Sequence, residues 1–310
     1  MKSSKVFSII FVLFFLGQIV IAQDAAKNKV VITGVRFAYP LVEKWIKQYQ
    51  QTNPSSQIII EARTTTDPSQ YDVLIEAYEP EASVKESREY VYIARYALLP
   101  FANASSAFAK NYSDKGLTTE LIKQFYFNDI YADKKNEKKV EIPYTIYTRL
   151  QKAGAPVTFA RYFGFEQANI KGKAIAGADE HLVKALLKDS TGVSYSTPGL
   201  LFNLQTRKPI DGITVLPVDI DGNKRVSADE KFYDNLDIVL QKLEAAELKN
   251  VPIEYIHLSV LKNNTNPEAV KFLKWVFEHG QDNLHEFGFL KPDAKRFQQE
   301  KDHLQQLGLN

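Results

Sequence analysis

Hydrophobic positions along this chain switch repeatedly between strand-like runs and helical periods. The segment "NKVVITG" (28–34) is a continuous apolar run that ends at a glycine, which predicts a buried strand. The next segment, "PLVEKWIKQYQQTNP" (40–54), starts with proline and has five apolar residues on one face, which predicts a helix. Because strand and helix signals alternate to the end of the chain, we predict an α/β fold with mostly parallel sheets.

Two apolar strands, Glu89–Asn103 and Glu254–Lys262, are long enough to pass from one folding unit to another. Two such crossings divide the chain into two lobes around a cleft. We expect residues 23–95 and 254–310 to form the first lobe and residues 96–253 to form the second. Shorter strands are predicted at 56–62, 71–77, 138–149 and 191–197, and helices at 117–127, 178–189, 230–248 and 266–280.

The N-terminus has the pattern of a secretory signal peptide. Lys2 and Lys5 precede the apolar run "VFSIIFVLFFLGQIVIA", which ends in small or branched residues before polar Gln23. We therefore predict a signal peptide over residues 1–22. An uncleaved membrane anchor is the alternative, although the run falls short of a ~20-residue span.

Charge and cysteine content restrict the classes of function that the sequence allows. Without residues 1–22 the chain keeps 37 basic and 37 acidic residues, and this neutral balance argues against nucleic-acid or anionic-membrane partners. The chain has no cysteine, which excludes disulfides, a lipid-anchor cysteine and a cysteine nucleophile. A large exported chain without disulfides favours the periplasm of a Gram-negative bacterium, where we expect a monomer with no membrane span after signal cleavage.

Several segments together resemble one protein family. "ITGVRFAYPLVEKWIKQYQQTNP" (32–54), "YALLPFAN" (96–103), "YTRLQKAGAPVTFARYFG" (147–164) and "NPEAVKFLKWVFEHGQDNLHEFGFLKP" (266–292) are similar to the phosphate-binding (PstS-like) solute-binding proteins of ABC importers. The resemblance implies a two-lobe periplasmic-binding-protein fold of type II that closes on a small ligand. It also implies capture of phosphate or a similar small oxyanion for an ABC permease.

The resemblance also implies where the anion would bind. In the family, an arginine and a Ser-Gly-Thr-like turn lie in one loop, a threonine stands two residues before the first proline, and an acid after the third strand accepts a proton. In this chain the arginine and glycine are kept, but alanines replace several hydroxyl residues, and Arg36 lies near the altered first turn. The corresponding positions are Arg149, Ala153, Gly154, Ala155, Ala38, Thr64, Thr65, Thr66 and Glu76.

Each of these residues also has a plainer interpretation. Arg149 at a strand end can pair with a surface carboxylate, Glu76 can be a strand-end surface acid, and the threonines suit a strand. The missing hydroxyl groups support an alternative function, in which the protein has lost anion binding and serves as a periplasmic interaction or scaffold protein, or binds another polar ligand. An exported enzyme is a weaker hypothesis, because the sequence has no Gly-x-Ser-x-Gly, HExxH or phosphate-binding Lys loop, and we predict a non-enzyme.

The stretch "VDIDGNKRVSADE" (218–230) matches a twelve-residue calcium loop. Counting from Asp219, its ligand positions are filled by Asp219, Asp221, Asn223, the carbonyl of Arg225, Ser227 and Glu230. The glycine expected at position six is Lys224, and only one helix follows the loop, so a calcium sensor is excluded. Two interpretations remain, a structural Ca²⁺ site that is the only cofactor we expect, and a polar turn without an ion.

Overall fold

The computed structural model describes residues 29–61, 67–128, 141–245, 248–263 and 266–306. Within these ranges, ten strands form two five-stranded sheets, and helices flank both sheets, which confirms the predicted α/β class and two-lobe organisation. The predicted signal peptide and Thr64, Thr65 and Thr66 lie outside these ranges. None of the helices in the described ranges is long and apolar enough to cross a membrane.

The strands are β1 (Lys29–Gly34), β2 (Gln57–Ile60), β3 (Val73–Glu76), β4 (Arg88–Ala97), β5 (Leu99–Asn103), β6 (Thr145–Arg149), β7 (Lys173–Ile175), β8 (Gly192–Ser196), β9 (Ile213–Val215) and β10 (Ile253–Leu261). The helices are α1 (Tyr39–Thr52), α2 (Ala82–Glu86), α3 (Ala107–Lys115), α4 (Thr119–Tyr126), α5 (Gly154–Tyr162), α6 (Asp179–Leu187), α7 (Pro198–Leu201), α8 (Leu236–Ala245), α9 (Pro267–His279) and α10 (Ala294–Gln306).

Each sheet contains parallel and antiparallel pairs in equal number, so the prediction of mostly parallel sheets is wrong. The first sheet has the order β2-β1-β3-β10-β4, and the second has the order β7-β6-β8-β5-β9. β1 is parallel to β2 and β3, but β10 is antiparallel to both of its neighbours. The same holds in the second sheet, where β5 is antiparallel to β8 and β9. Strands that arrive from the other lobe enter their sheet from the opposite end, which a local hydrophobic pattern does not reveal.

The chain passes between the lobes at two adjacent points. The first crossing lies at Leu98, between β4 of the first sheet and β5 of the second, within the predicted crossing strand. The second strand expected to cross, β10, pairs only with strands of the first sheet, and the chain returns just before it. At that point the Leu98 amide donates to the carbonyl of Pro252 at 2.9 Å, so the two connections lie side by side.

Helix α1 follows the predicted pattern closely. Leu41, Val42, Trp45 and Tyr49 are buried, and the Trp45 indole N–H donates to the carbonyl of Gly280 at 3.0 Å. This bond fixes α1 to the C-terminal end of α9. Pro40, in the first turn of α1, lines a cavity together with Thr197 of the second lobe.

Candidate ligand site between the lobes

A buried ion pair joins the ends of two elements at the carboxyl edge of the second sheet. Arg149 is the last residue of β6, and Asp179 is the first residue of α6. A guanidinium nitrogen (Nη1) of Arg149 lies 3.1 Å from Oδ2 of Asp179, and the two side chains are only 13% and 9% exposed. Arg149 therefore pairs with a buried carboxylate rather than with a surface acid.

Each member of this pair keeps one polar atom without a partner. Nε of Arg149 and Oδ1 of Asp179 are buried and make no hydrogen bond with any residue that the structure describes. Buried polar atoms are almost always hydrogen-bonded, so an unsatisfied donor beside an unsatisfied acceptor calls for a third group. A ligand that carries both an acceptor oxygen and a donor hydrogen would satisfy the two atoms together.

Burial shifts the pKa of Asp179. Removal from water raises the pKa of the Asp179 carboxyl, and the neighbouring Arg149 guanidinium opposes this shift without cancelling it. Sequence reasoning missed Asp179. The available signal was an acid in the first turn of a predicted helix, at the sheet edge where the arginine strand also ends.

The loop that follows Arg149 leads into the N-terminus of α5. Ala153 precedes the helix with an extended backbone and no side-chain cap, and Gly154 and Ala155 are buried. Their two backbone N–H groups lie in the first turn, where an α-helix has no internal acceptors for its amides. Free N–H groups at a helix N-terminus can donate hydrogen bonds to an anion, and these two follow directly after the loop that carries Arg149.

The two lobes touch at this helix end. A Cβ placed on Gly154 would lie 2.6 Å from the Cβ of Ala77, the residue that follows β3 in the first lobe. The Tyr96 hydroxyl of β4 donates to the carbonyl of Ala77 and also lies 2.8 Å from the Thr158 hydroxyl of α5. The lobes are therefore closed on each other at the N-terminus of α5.

Two cations of the second lobe lie over an aromatic ring of the first. The Lys152 ammonium is 5.9 Å and the Arg161 guanidinium 5.8 Å from the ring centre of Tyr78. Contacts of this type are attractive when the cation lies within about 6 Å of the ring. They add positive charge to the interface next to the Arg149 loop.

The other predicted ligand residues occupy different surroundings. Ala38 precedes α1 and is fully buried, while Arg36 is exposed. The Glu76 carboxylate accepts from the Ser259 hydroxyl at 3.0 Å and lies 3.6 Å from His257 Nε2, both on β10. The structure thus groups Glu76 with the first sheet rather than with Arg149, and its role as a proton acceptor stays a prediction.

An arginine links the lobes on another side of the interface. The Arg207 guanidinium donates to the carbonyls of His285 and Glu286 in the first lobe at 2.8 and 3.2 Å. Asp237 holds the same guanidinium through two bonds of 2.7 and 3.0 Å. Arg207 has a left-handed backbone with φ of 61°, so a strained residue makes this interlobe contact.

A cavity of about 40 Å³ lies between the lobes near the start of α1. We call it the interlobe chamber. Its walls are largely apolar, and the polar side chains in them are those of Glu180 and Thr197. The apolar walls include Phe37, Phe287, Phe289 and Leu200.

The calcium-like loop is a compact turn in the second lobe. Carboxylate oxygens of Asp219, Asp221 and Glu230 lie within 4.8 Å of one another, the one such group among the described residues. Asp219 and Glu230 are buried, and burial raises the pKa of Asp219. Lys224, at the position where calcium loops keep glycine, has φ of +71°. The backbone therefore has the left-handed turn that the loop pattern requires.

Backbone amides already engage these carboxylates. Asp219 accepts from the N–H groups of residues 222, 223 and 224, and Glu230 accepts from those of Ile220 and Ser227. Each carboxylate oxygen has two lone pairs, so an oxygen that accepts one amide can still bind a cation. The geometry is thus compatible with both interpretations of the loop, the ion site and the polar turn.

Solved structures of similar shape share this two-lobe fold. They include a putative phosphate ABC transporter substrate-binding protein with bound phosphate from Clostridium perfringens (16% identity, 86% of this chain and 100% of that chain covered, TM-score 0.61). The chain is also similar to an ABC-type phosphate transport receptor from Vibrio cholerae (13% identity, 85% of this chain and 100% of that chain covered, TM-score 0.57). A third similar structure is a possible phosphate binding protein from Planctomyces limnophilus (13% identity, 90% of this chain and 98% of that chain covered, TM-score 0.53). At these identities the likeness establishes the type II periplasmic-binding-protein fold.

No protein-family model matches the sequence, and no curated protein does.

Proposed function

We propose that this protein is a periplasmic solute-binding protein that captures a small oxyanion bearing an acidic proton, with hydrogen phosphate as the first candidate. The observation that carries the proposal is the buried pair at the sheet edge, in which Arg149 Nε has no acceptor and Asp179 Oδ1 has no donor among the described residues. Hydrogen phosphate supplies both missing groups, an anionic oxygen and a hydroxyl.

Arg149 and the start of α5 would hold the anion. The guanidinium forms a charge-assisted hydrogen bond with an anionic oxygen, which is stronger than a bond between neutral groups. The N–H groups of Gly154 and Ala155 are available for a second oxygen. This combination needs no hydroxyl side chain at 153 or 155, where the sequence has alanine.

Asp179 would make the site selective for protonated oxyanions over unprotonated ones. Its carboxylate accepts the hydrogen of a protonated oxyanion but repels an oxyanion that has none. Sulfate carries no proton at neutral pH, so we expect it to bind less tightly than phosphate. The role that the sequence resemblance assigned to Glu76 is thus proposed for Asp179 instead.

The type II fold and the solved phosphate-binding structures of the same shape support a binding role rather than an enzymatic one. Delivery of the ligand to an ABC permease, export through the signal peptide and a monomeric state remain parts of the proposal.

Calorimetric titration of residues 23–310 with phosphate and with sulfate tests the proposal. We expect phosphate to bind more tightly than about 1 mM, sulfate to bind less well, and Arg149→Gln to abolish both. Asp179→Asn should reduce the preference for phosphate, whereas Arg225→Gln, at an exposed arginine of the calcium-like loop, should change nothing. If neither anion binds at millimolar concentration, the result would favour the alternative function, a periplasmic interaction or scaffold protein.

We also propose that the loop 219–230 holds a structural Ca²⁺. The ligands would be the carboxylates of Asp219, Asp221 and Glu230, with Asn223, Ser227 and the Arg225 carbonyl completing the set. Oxygen-rich ligand sets of this kind suit Ca²⁺, and the close approach of the three carboxylates supports the assignment. The ion would stabilise the turn between β9 and α8 and take no part in ligand binding.

A further inference from the structure

The interlobe chamber adjoins the Arg149–Asp179 pair through two separate elements. On α6, Asp179 binds Arg149, and the next residue, Glu180, lines the chamber. On the neighbouring strand, Ser196 ends β8, and the next residue, Thr197, lines the chamber. β8 is paired in parallel with β6, which ends at Arg149. The chamber and the pair therefore share the carboxyl edge of the second sheet.

Glu180 gives the chamber a single negative charge. Among the lining residues that the structure describes, it is the only charged one. Its carboxylate makes no hydrogen bond or ion pair with any of the described residues. An acid in the first turn of a helix is favourable for the helix dipole, which by itself accounts for a glutamate here. The dipole does not account for apolar and aromatic walls around that acid.

The chamber has a charge of its own, separate from the oxyanion site. Arg149 and Asp179 neutralise each other, and Lys152 and Arg161 add positive charge next to the Arg149 loop, whereas Glu180 gives the chamber itself one negative charge. A second anionic group beside Glu180 would be repelled, whereas a cationic group would be attracted. Phe37, Phe287 and Phe289 line the same space, and aromatic rings attract ammonium groups.

The chamber is small, which limits the group that it can hold. A water molecule needs roughly 10–15 Å³ of such space, so the cavity of about 40 Å³ has room for roughly three water molecules or a group of similar size. A two-carbon chain that ends in an ammonium is of this size. Longer or branched substituents would require the closed lobes to separate.

We infer that the preferred ligand is a small zwitterion in which a phosphonate-type oxyanion is joined to an ammonium group by a short alkyl chain. This inference rests on the proposed oxyanion site and specifies its substrate class, the aminoalkylphosphonates. The oxyanion lies on Arg149 and the start of α5, and the alkylammonium enters the interlobe chamber beside Glu180. Glu180 is then the residue that decides specificity.

Three probes test the inference by calorimetry on residues 23–310. They are inorganic phosphate, ethylphosphonate and 2-aminoethylphosphonate, and the last two differ only in the terminal ammonium. We expect 2-aminoethylphosphonate to bind at least about tenfold more tightly than ethylphosphonate, because its ammonium can form a charge-assisted hydrogen bond with Glu180. Glu180→Gln should remove this preference, and the variant should bind ethylphosphonate at least as tightly as the wild type, because it has lost a negative charge near the anion.

A matched control separates the chamber from the helix dipole. Glu120 is likewise an acid in the first turn of a helix, α4, but it is exposed and away from the chamber. Glu120→Gln should leave the preference for 2-aminoethylphosphonate intact. Equal binding of the two phosphonates, or a preference that survives Glu180→Gln, overturns the inference while phosphate binding still upholds the oxyanion site. If none of the three probes binds, the proposed function and this inference fail together.

Discussion

Gly154 at the start of α5 packs directly against Ala77 after β3, where the two lobes meet near the proposed anion site. A Cβ on Gly154 would approach the Ala77 Cβ to 2.6 Å, which is closer than two carbon atoms can pack. Only glycine allows the N-terminus of α5 to meet the first lobe in this way. The contact therefore couples lobe closure to the loop that carries Arg149.

Replacing Gly154 with alanine should push the lobes apart. We expect a loss of about 1–3 kcal/mol in the free energy of unfolding, measured by denaturant titration, because the added methyl overpacks the interface. The double variant Gly154→Ala, Ala77→Gly removes the opposing methyl and should recover part of this loss. An unchanged stability in the single variant would show that the contact is not rigid.

Arg207 should keep the lobes closed without any ligand. Arg207→Ala removes two hydrogen bonds to the first lobe, at the carbonyls of His285 and Glu286. The chain has no cysteine, so spin labels at Lys47→Cys and Lys184→Cys, one in each lobe, can report the distance between the lobes. We expect this distance to increase in Arg207→Ala and to stay constant in Lys208→Ala, a variant of the exposed neighbour. A distance that Arg207→Ala leaves unaltered would exclude a closing role.

Variants of the Arg149–Asp179 pair should distinguish its effect on stability from its effect on ligand binding. Arg149→Met leaves Asp179 buried without its cation, which should reduce the free energy of unfolding by about 3–5 kcal/mol. Adding Asp179→Leu removes the buried charge and should restore most of this stability, but not the binding of phosphate. Recovery of binding in the double variant would contradict the proposed site.

The same pair predicts a dependence of stability on pH. Because burial raises the pKa of Asp179 above its ordinary value of 3.8, the folded protein holds this proton more tightly than the unfolded chain. The proton stabilises the folded state at low pH, and this contribution is lost as pH rises from 3.8 through the raised pKa. The stability of the wild type relative to Asp179→Asn should therefore fall over this window. A rise instead would mean that Arg149 outweighs burial.

Calcium should stabilise the second lobe through the loop 219–230. We expect millimolar Ca²⁺ to raise the melting temperature by binding the folded state, and Asp219→Ala to abolish the rise. Asp229→Asn, at an exposed acid of the same loop, is the control. No shift in the wild type would leave the polar turn as the interpretation.

The backbone at Lys224 gives an independent test of the loop. Lys224→Gly should stabilise the protein by about 1 kcal/mol, because lysine is strained at a positive φ and glycine is not. This gain should appear with and without calcium. Destabilisation by glycine would show that the lysine side chain contributes more than the strain costs.

Local sequence patterns determined the elements that carry the site. The apolar face of α1, the strand ending at Arg149, a crossing segment within residues 89–103 and the turn at 219–230 all follow from periodicity and from glycine, proline and capping residues. These features depend on interactions within a few residues, which a single sequence displays directly. The two-lobe α/β fold then followed from the order of the elements and from the resemblance.

Only the tertiary structure decided which residues meet. Asp179 is thirty positions beyond Arg149 in the chain and pairs with it because β6 and α6 end at the same sheet edge. Glu76 contacts Ser259 and His257 because β3, which ends at Glu76, is paired with β10. The antiparallel strands β5 and β10, the contact of Gly154 with Ala77 and the interlobe chamber likewise arise from packing between distant segments. Such contacts depend on how all the elements of both lobes pack together, and no local pattern in the sequence encodes them.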